Sequence, residues 1–296
     1  MSWPMPFVTP LDDRAVLRIA GPDRVAFLQG LVSNDVEKLT PTRALWAAFL
    51  TPQGKYLHDF FLVTEGEAIL LDGEAARLAD LLKRLKLYRL RSKVELSEAA
   101  DRKVYALWGE GALAQLGLAE EPGATKALVG GPIFVDPRLA GLGARALLST
   151  PPETFAPAPR ADYERLRLSL GVPDGSRDLE VEKAILLENG FDELGAIDWQ
   201  KGCWMGQELT ARTRYRALIK RRLLPARFEG EAPAPGTAVT QEGREVGQVR
   251  SSAGERALVL LRLDALDGAP LNADGRTLVA ERPAWLKLYE ASPRPA

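Results

Sequence analysis

The sequence predicts an α+β protein whose C-terminal part is all β. Three observations carry this. Stretches of helical spacing alternate with apolar runs joined by short Pro/Gly turns, a pattern of hairpins rather than of a doubly wound sheet. Neither G-x-G-x-x-G nor G-x-x-x-x-G-K-[ST] occurs, so the nucleotide-binding motifs of α/β folds are missing. A Pro/Gly-rich break, Phe228 to Thr237 (FEGEAPAPGT), precedes short strands and turns that read as a small barrel or sandwich. The 296 residues suit two domains at about 150 residues each. The division expected is 1–227, an α+β core of two interleaved subdomains, and 228–296, a β-barrel.

Arg14 to Ile19 (RAVLRI) alternates like a strand. Gly21, Pro22 and Asp23 open a helix with its apolar face on Val25, Phe27, Leu28, Leu31 and Val32, and Ser33, Asn34 and Asp35 end it. Leu45 to Leu50 (LWAAFL) and Tyr56 to Val63 (YLHDFFLV), joined by Thr51 to Gly54, form a hairpin. Ala68 to Leu71 continues the sheet, and Gly73 ends it. Glu74 to Leu87 is helical, with Leu78, Leu81, Leu82 and Leu85 on one face. Val94 to Leu96, Val104 to Trp108, Ile133 to Val135 and Ala144 to Leu148 are short strands. Thr150 to Arg160, with four prolines, is an exposed connection before a helix from Tyr163 to Leu170.

Composition narrows the function classes. Apolar residues make up 46% and charged residues 27%, enough for a core and too apolar for wholesale disorder. With 39 basic and 40 acidic residues the net charge is −1, which disfavours bulk nucleic acid as the main partner. The single cysteine, Cys203, excludes an intramolecular disulfide, and the single histidine, His58, excludes a multi-histidine metal site. Met1 to Pro10 lacks the features of a signal or transit peptide, and no apolar run reaches the ~20 residues of a membrane helix. A cytoplasmic protein with a reduced thiol and no membrane partner is therefore expected, and nothing demands more than a monomer.

The stretch richest in chemistry is KGCWMGQE, Lys201 to Glu208, followed by LTARTRYR to Arg216. Helix-forming residues start after Gly206, so Cys203 is expected just ahead of a helix N-terminus with Lys201 nearby. Both features favour thiolate over thiol. The bland alternative is a small buried hydrophobe. Arg212, Arg214, Arg216, Lys220, Arg221 and Arg222 follow with no acid among them, a solvated face or a wall for an anionic ligand. A second acid-free basic run, Lys83 to Lys93, carries Tyr88 and raises RNA as a ligand. His58 and Asp59 are neighbours on one strand and so point to opposite faces.

Lys201 to Arg212 resembles the K-G-C-aromatic-x-G-Q-E signature of the YgfZ-type folate-binding proteins, relatives of the aminomethyltransferase (T-protein) of the glycine cleavage system. Gly21 to Asp35, Leu50 to Gly54, Leu87 to Leu96, Arg165 to Pro173 and Asn189 to Leu194 agree with it, so the resemblance covers most of the chain. It implies an aminomethyltransferase-like fold of three subdomains in a ring around a central channel, closed by a C-terminal barrel. It also implies tetrahydrofolate or a derivative as cofactor, and iron–sulfur proteins or their assembly machinery as partners.

The function implied is a tetrahydrofolate-dependent accessory role in synthesis or repair of iron–sulfur clusters, rather than an ordinary turnover enzyme. Cys203 is then the reactive thiol, able to ligate a shared cluster, and Lys201 supports its thiolate. Arg212 is the candidate for the folate carboxylate, or for an i,i+4 pair with Glu208. Gln207 and Glu208 cap the loop or face the ligand, and Asn34, Gln53 and Asp59 line the folate site. Two departures stand out. T-proteins carry Asp where this chain has Cys203, and Ser169 stands where they have a pterin-binding Glu. The alternatives are an aminomethyltransferase-type one-carbon transferase using Asp59, and a module binding RNA or a modifying enzyme.

Overall fold

A computed structural model describes residues 5–216, 219–266 and 268–287. The chain forms two compact units, each drawn from separated stretches. The first takes the chain up to Leu50, then Leu57–Tyr163 and Gly195–Met205. The second takes Thr51–Tyr56, Glu164–Leu194 and the chain from Gly206 onward.

The first unit holds two sheets. One runs in the order Leu45–Leu50, Tyr56–Glu65, Ala68–Glu74, Arg14–Ala20, Glu95–Glu98. Its first strand is buried at every residue, and so is Tyr56 through Val63, which accounts for apolar runs without alternation. The other runs Ala156–Pro157, Phe7–Pro10, Lys103–Trp108, Ala144–Leu148, Gly131–Val135, Thr125–Leu128. Charged residues tie the sheets together. Asp72 accepts from Arg14 Nε at 2.7 Å on its own sheet and from Arg145 Nη2 at 2.6 Å on the other. Asp136 holds Arg138 at 2.7 Å, and the Arg145 and Arg138 guanidinium groups lie 4.0 and 4.8 Å from the Phe61 ring centroid.

The helix expected after Pro22 spans Arg24–Gln29. Asp23 does not cap it; its carboxylate accepts from the Lys93 amide at 2.7 Å. Gly73 lies inside the strand Ala68–Glu74 instead of ending it, so the next helix starts later, at Leu78–Arg89. The helix expected from Tyr163 begins at Arg160.

The second unit contains a closed barrel of Arg221–Phe228, Arg256–Arg262, Arg244–Ala253, Ala238–Gln241, Leu271–Ala273 and Arg276–Ala280. Its core includes Leu224, Phe228, Val239, Val249, Val259 and Leu278. The boundary expected at 228 cuts this barrel, because its first strand lies before the Pro/Gly-rich break. That strand opens on the basic residues Arg221 and Arg222, which hide its outline. Arg222 is buried and pairs with Glu193 at 2.7 Å. A second buried charge group holds the Glu164–Leu194 stretch. Arg167 bonds Asp178 at 2.6 Å and also pairs with Glu164. Burial alone would raise the Glu164 carboxyl, but Arg167 and then Arg177 hold it at about 2.

Candidate functional site

The short helix Arg24–Gln29 ends at Gly30 and leaves carbonyls without helical partners. Lys201 supplies them. Its Nζ donates to the carbonyls of Gln29 at 2.8 Å, Val32 at 2.7 Å and Asn34 at 2.7 Å. A lysine at a helix C-terminus is the expected cap for such groups. The rest of the loop is stitched to the same turn. Ser33 Oγ donates to Ala196 O at 2.6 Å, and the Asp198 amide to Ser33 O at 3.1 Å. Asn34 Nδ2 donates to Gly195 O and to Trp46 O, both at 2.8 Å, and the Met205 amide reaches Gly30 O. Burial pushes the Lys201 ammonium down to about 8, with Asp35 and then Asp198 pulling the other way.

Gly202 and Cys203 leave this anchored root and are exposed, and Trp204 returns to the interior. The Trp204 Nε1 proton is buried and finds no acceptor among the described residues. Cys203 is therefore not the buried hydrophobe of the bland alternative. The support expected for its thiolate takes a different form, however. All three Lys201 donors are spent on carbonyls, so Lys201 is a positioning residue that fixes the loop. The following helix, Gln207–Tyr215, has its N-cap at Gly206, three residues beyond the thiol, and the dipole effect fades within a turn.

In the second unit, Gln207, Glu208 and Arg212 share that helix. Gly206 occupies the N-cap with φ +82° and no side chain caps the helix, so Gln207 and Glu208 do not play the capping part. Glu208 still suits the first turn electrostatically. Arg212 is exposed, and no ion pair joins it to Glu208 or to any other described residue. Gln53 is exposed in the turn from Thr51 to Lys55, which packs against the start of this helix. Gly54 makes the approach feasible: its φ is +69°, and a Cβ there would stand 3.1 Å from Gly206 O.

Two expected ligand contacts are committed to structure instead. Asn34 uses both Nδ2 bonds on carbonyls, and its Oδ1 accepts from the Asp35 amide at 2.8 Å. Asp59 is buried in the first unit and accepts from Trp46 Nε1 at 2.9 Å. His58 faces the other way, its Nε2 3.0 Å from Asp80 on the helix Leu78–Arg89. Burial, then Arg77, pushes His58 down to about 4, so it is neutral at pH 7. Ser169 is exposed and donates to Leu166 O at 2.7 Å, a helix-internal bond with no resemblance to a pterin clamp. Sequence reasoning missed the two buried charge groups. The group around Asp72 had one signal, charge at an inward strand position two residues after Leu70; the group around Arg167 lies on helices and had none of that kind.

Comparison with known proteins places the chain. Residues 220–288 match the family described as CAF17, C-terminal beta-barrel domain. The human mitochondrial iron–sulfur cluster assembly factor IBA57 is 34% identical, aligning over 93% of this chain and 84% of its own length. The mouse protein of that name is 33% identical over 87% of this chain and 78% of its own. The IBA57 homologue of Pyricularia oryzae is 31% identical over 87% and 72%. Glycine cleavage system aminomethyltransferase T from Bartonella henselae superposes with a TM-score of 0.76 at 15% identity, covering 96% of this chain and 87% of that one. That likeness gives the fold, an α+β aminomethyltransferase T-like fold with a closed six-stranded C-terminal barrel. The relatives correct the expectation of a cytoplasmic protein, since they are named mitochondrial. They also replace the YgfZ-type proteins with a related family: this chain belongs to the IBA57 family of iron–sulfur cluster assembly factors.

Proposed function

We propose that this protein serves the synthesis or repair of iron–sulfur clusters by presenting Cys203 to a cluster or client, with tetrahydrofolate or a derivative bound elsewhere on the chain. The observation that carries the reading is the exposed Cys203 on a loop whose root is fixed by three Lys201 hydrogen bonds. An exposed sulfur can be reached by a metal centre, and cysteine sulfur is a soft ligand that suits iron. One cysteine gives one ligand, so the remaining ligands of any cluster come from a partner chain of the assembly machinery or from the client.

The folate part rests on the fold and on Arg212. Its guanidinium is exposed and not committed to an ion pair among the described residues, as a carboxylate-binding group requires. Gln53 and Gln207 supply amides in the same unit. Asn34 and Asp59 carry structural hydrogen bonds, so the reading places less weight on them than on Arg212. Folate, where bound, supplies a one-carbon carrier; this chain's part is to hold its carboxylates.

Calorimetric titration of tetrahydrofolate and 5-formyltetrahydrofolate into wild type and Cys203→Ala tests the two parts separately. Micromolar binding unchanged by the substitution is expected. Absence of binding to either folate would remove the folate from the reading and leave the thiol and its partner.

A further inference from the structure

The basic run from Lys83 to Lys93 has no part in the reading above, and its placement is unusual. The helix Leu78–Arg89 packs through Leu78, Leu81 and Leu85, and none of its residues beyond Leu85 is buried. Every residue from Lys86 to Arg91 is exposed. Among them Leu87 is 67% exposed and Leu90 86%, in a protein that buries most of its leucines. Leu90 ends the helix at φ +43° and ψ −109°, a region that bulky residues avoid, so the backbone is strained where this side chain enters solvent. Around the two leucines stand Lys83, Lys86, Arg89, Arg91 and Lys93, none of them in an ion pair among the described residues; Arg84 alone is paired, with Asp80 at 2.8 Å.

We infer that this helix end docks on an anionic lipid surface. Exposed aliphatic side chains ringed by unpaired cations match the chemistry of a bilayer interface, where the leucines enter the acyl boundary and the cations meet the headgroups. RNA fits less well. Single strands are held by stacking on free aromatic faces. The one aromatic here, Tyr88, is set edge-on against Phe49 at 5.9 Å and is only 39% exposed. Leucines offer bases little. Among the described residues no helix is long and apolar enough to span a membrane, and a surface contact needs none. The expectation of no membrane partner rested on the missing span alone.

Co-sedimentation of the full chain with vesicles tests this. Vesicles of phosphatidylcholine alone are compared with vesicles of equal parts phosphatidylcholine and phosphatidylglycerol, with a single-stranded RNA oligonucleotide as competitor. Binding is expected only to the anionic vesicles. The triple change Lys86→Glu, Arg89→Glu and Arg91→Glu should abolish it. Leu87→Ser with Leu90→Asn should weaken it about tenfold, the loss expected when one or two apolar side chains no longer insert. All five positions are exposed, and melting curves should confirm that the variants fold. Failure to bind anionic vesicles would overturn the inference. So would binding that the leucine substitutions leave unchanged, or binding that RNA displaces completely.

Discussion

Lys201 and Cys203 stand two residues apart in one loop, and the protein treats them in opposite ways. The lysine, a residue that normally keeps its charge in water, is buried and bonded to three carbonyls. The cysteine, a residue usually found inside, stands in solvent. The contrast separates two jobs that the motif merges when read as a string. The root holds the loop's shape, and the tip is left free for chemistry. A residue that contributes nothing to the fold can be changed without cost to the fold, so the contrast is open to measurement.

Lys201→Met removes three donors and strands three carbonyls, Gln29 at the helix end and Val32 and Asn34 in the turn after it, and should cost about 3 kcal/mol of stability. Urea unfolding would read it; a loss below ~1 kcal/mol would show that the root is not held as described. His58 probes a second buried group in the first unit. Its folded pKa of about 4 lies below the ordinary 6.5, so the unfolded chain binds more protons between those values. Stability should therefore fall as pH drops from 6.5 toward 4, by up to about 3 kcal/mol, and His58→Gln should flatten that limb. Gly54→Ala forces a Cβ to within 3.1 Å of Gly206 O at a φ of +69°, and should cost about 2 kcal/mol. Arg212→Ala touches no described ion pair. It should leave the melting temperature unchanged and weaken folate binding about tenfold in calorimetry, the worth of one charge-assisted contact.

Much of the fold was legible because apolar spacing repeats locally. The hairpin of LWAAFL and YLHDFFLV, the helix after Gly206 and the C-terminal barrel all show in short windows. The errors came where one local cue spoke against a tertiary fact. Gly73 read as a stop, yet its strand continues through it to Glu74, held by pairing with Ala15 on the neighbouring strand. The barrel's first strand was hidden because Arg222 is buried through a partner 29 positions earlier. At the candidate site, the composition of KGCWMGQE singled out the loop, and the proposal that its thiol is reactive came from the family resemblance. The work of Lys201 was invisible, since its acceptors lie 167 to 172 positions away. The hydrogen bonds of Asn34 and Asp59 were invisible for the same reason: their partners are fixed by packing, and no spacing announces them.

The central claim is that the tip, not the root, carries the function. Cells lacking their own member of this family, supplied with Cys203→Ser, give the most direct test. Substituting an exposed residue should change stability by less than ~0.5 kcal/mol, so the variant should accumulate as a folded protein. The account predicts that it fails to restore the activity of iron–sulfur enzymes that wild type restores. Full restoration by Cys203→Ser would contradict it.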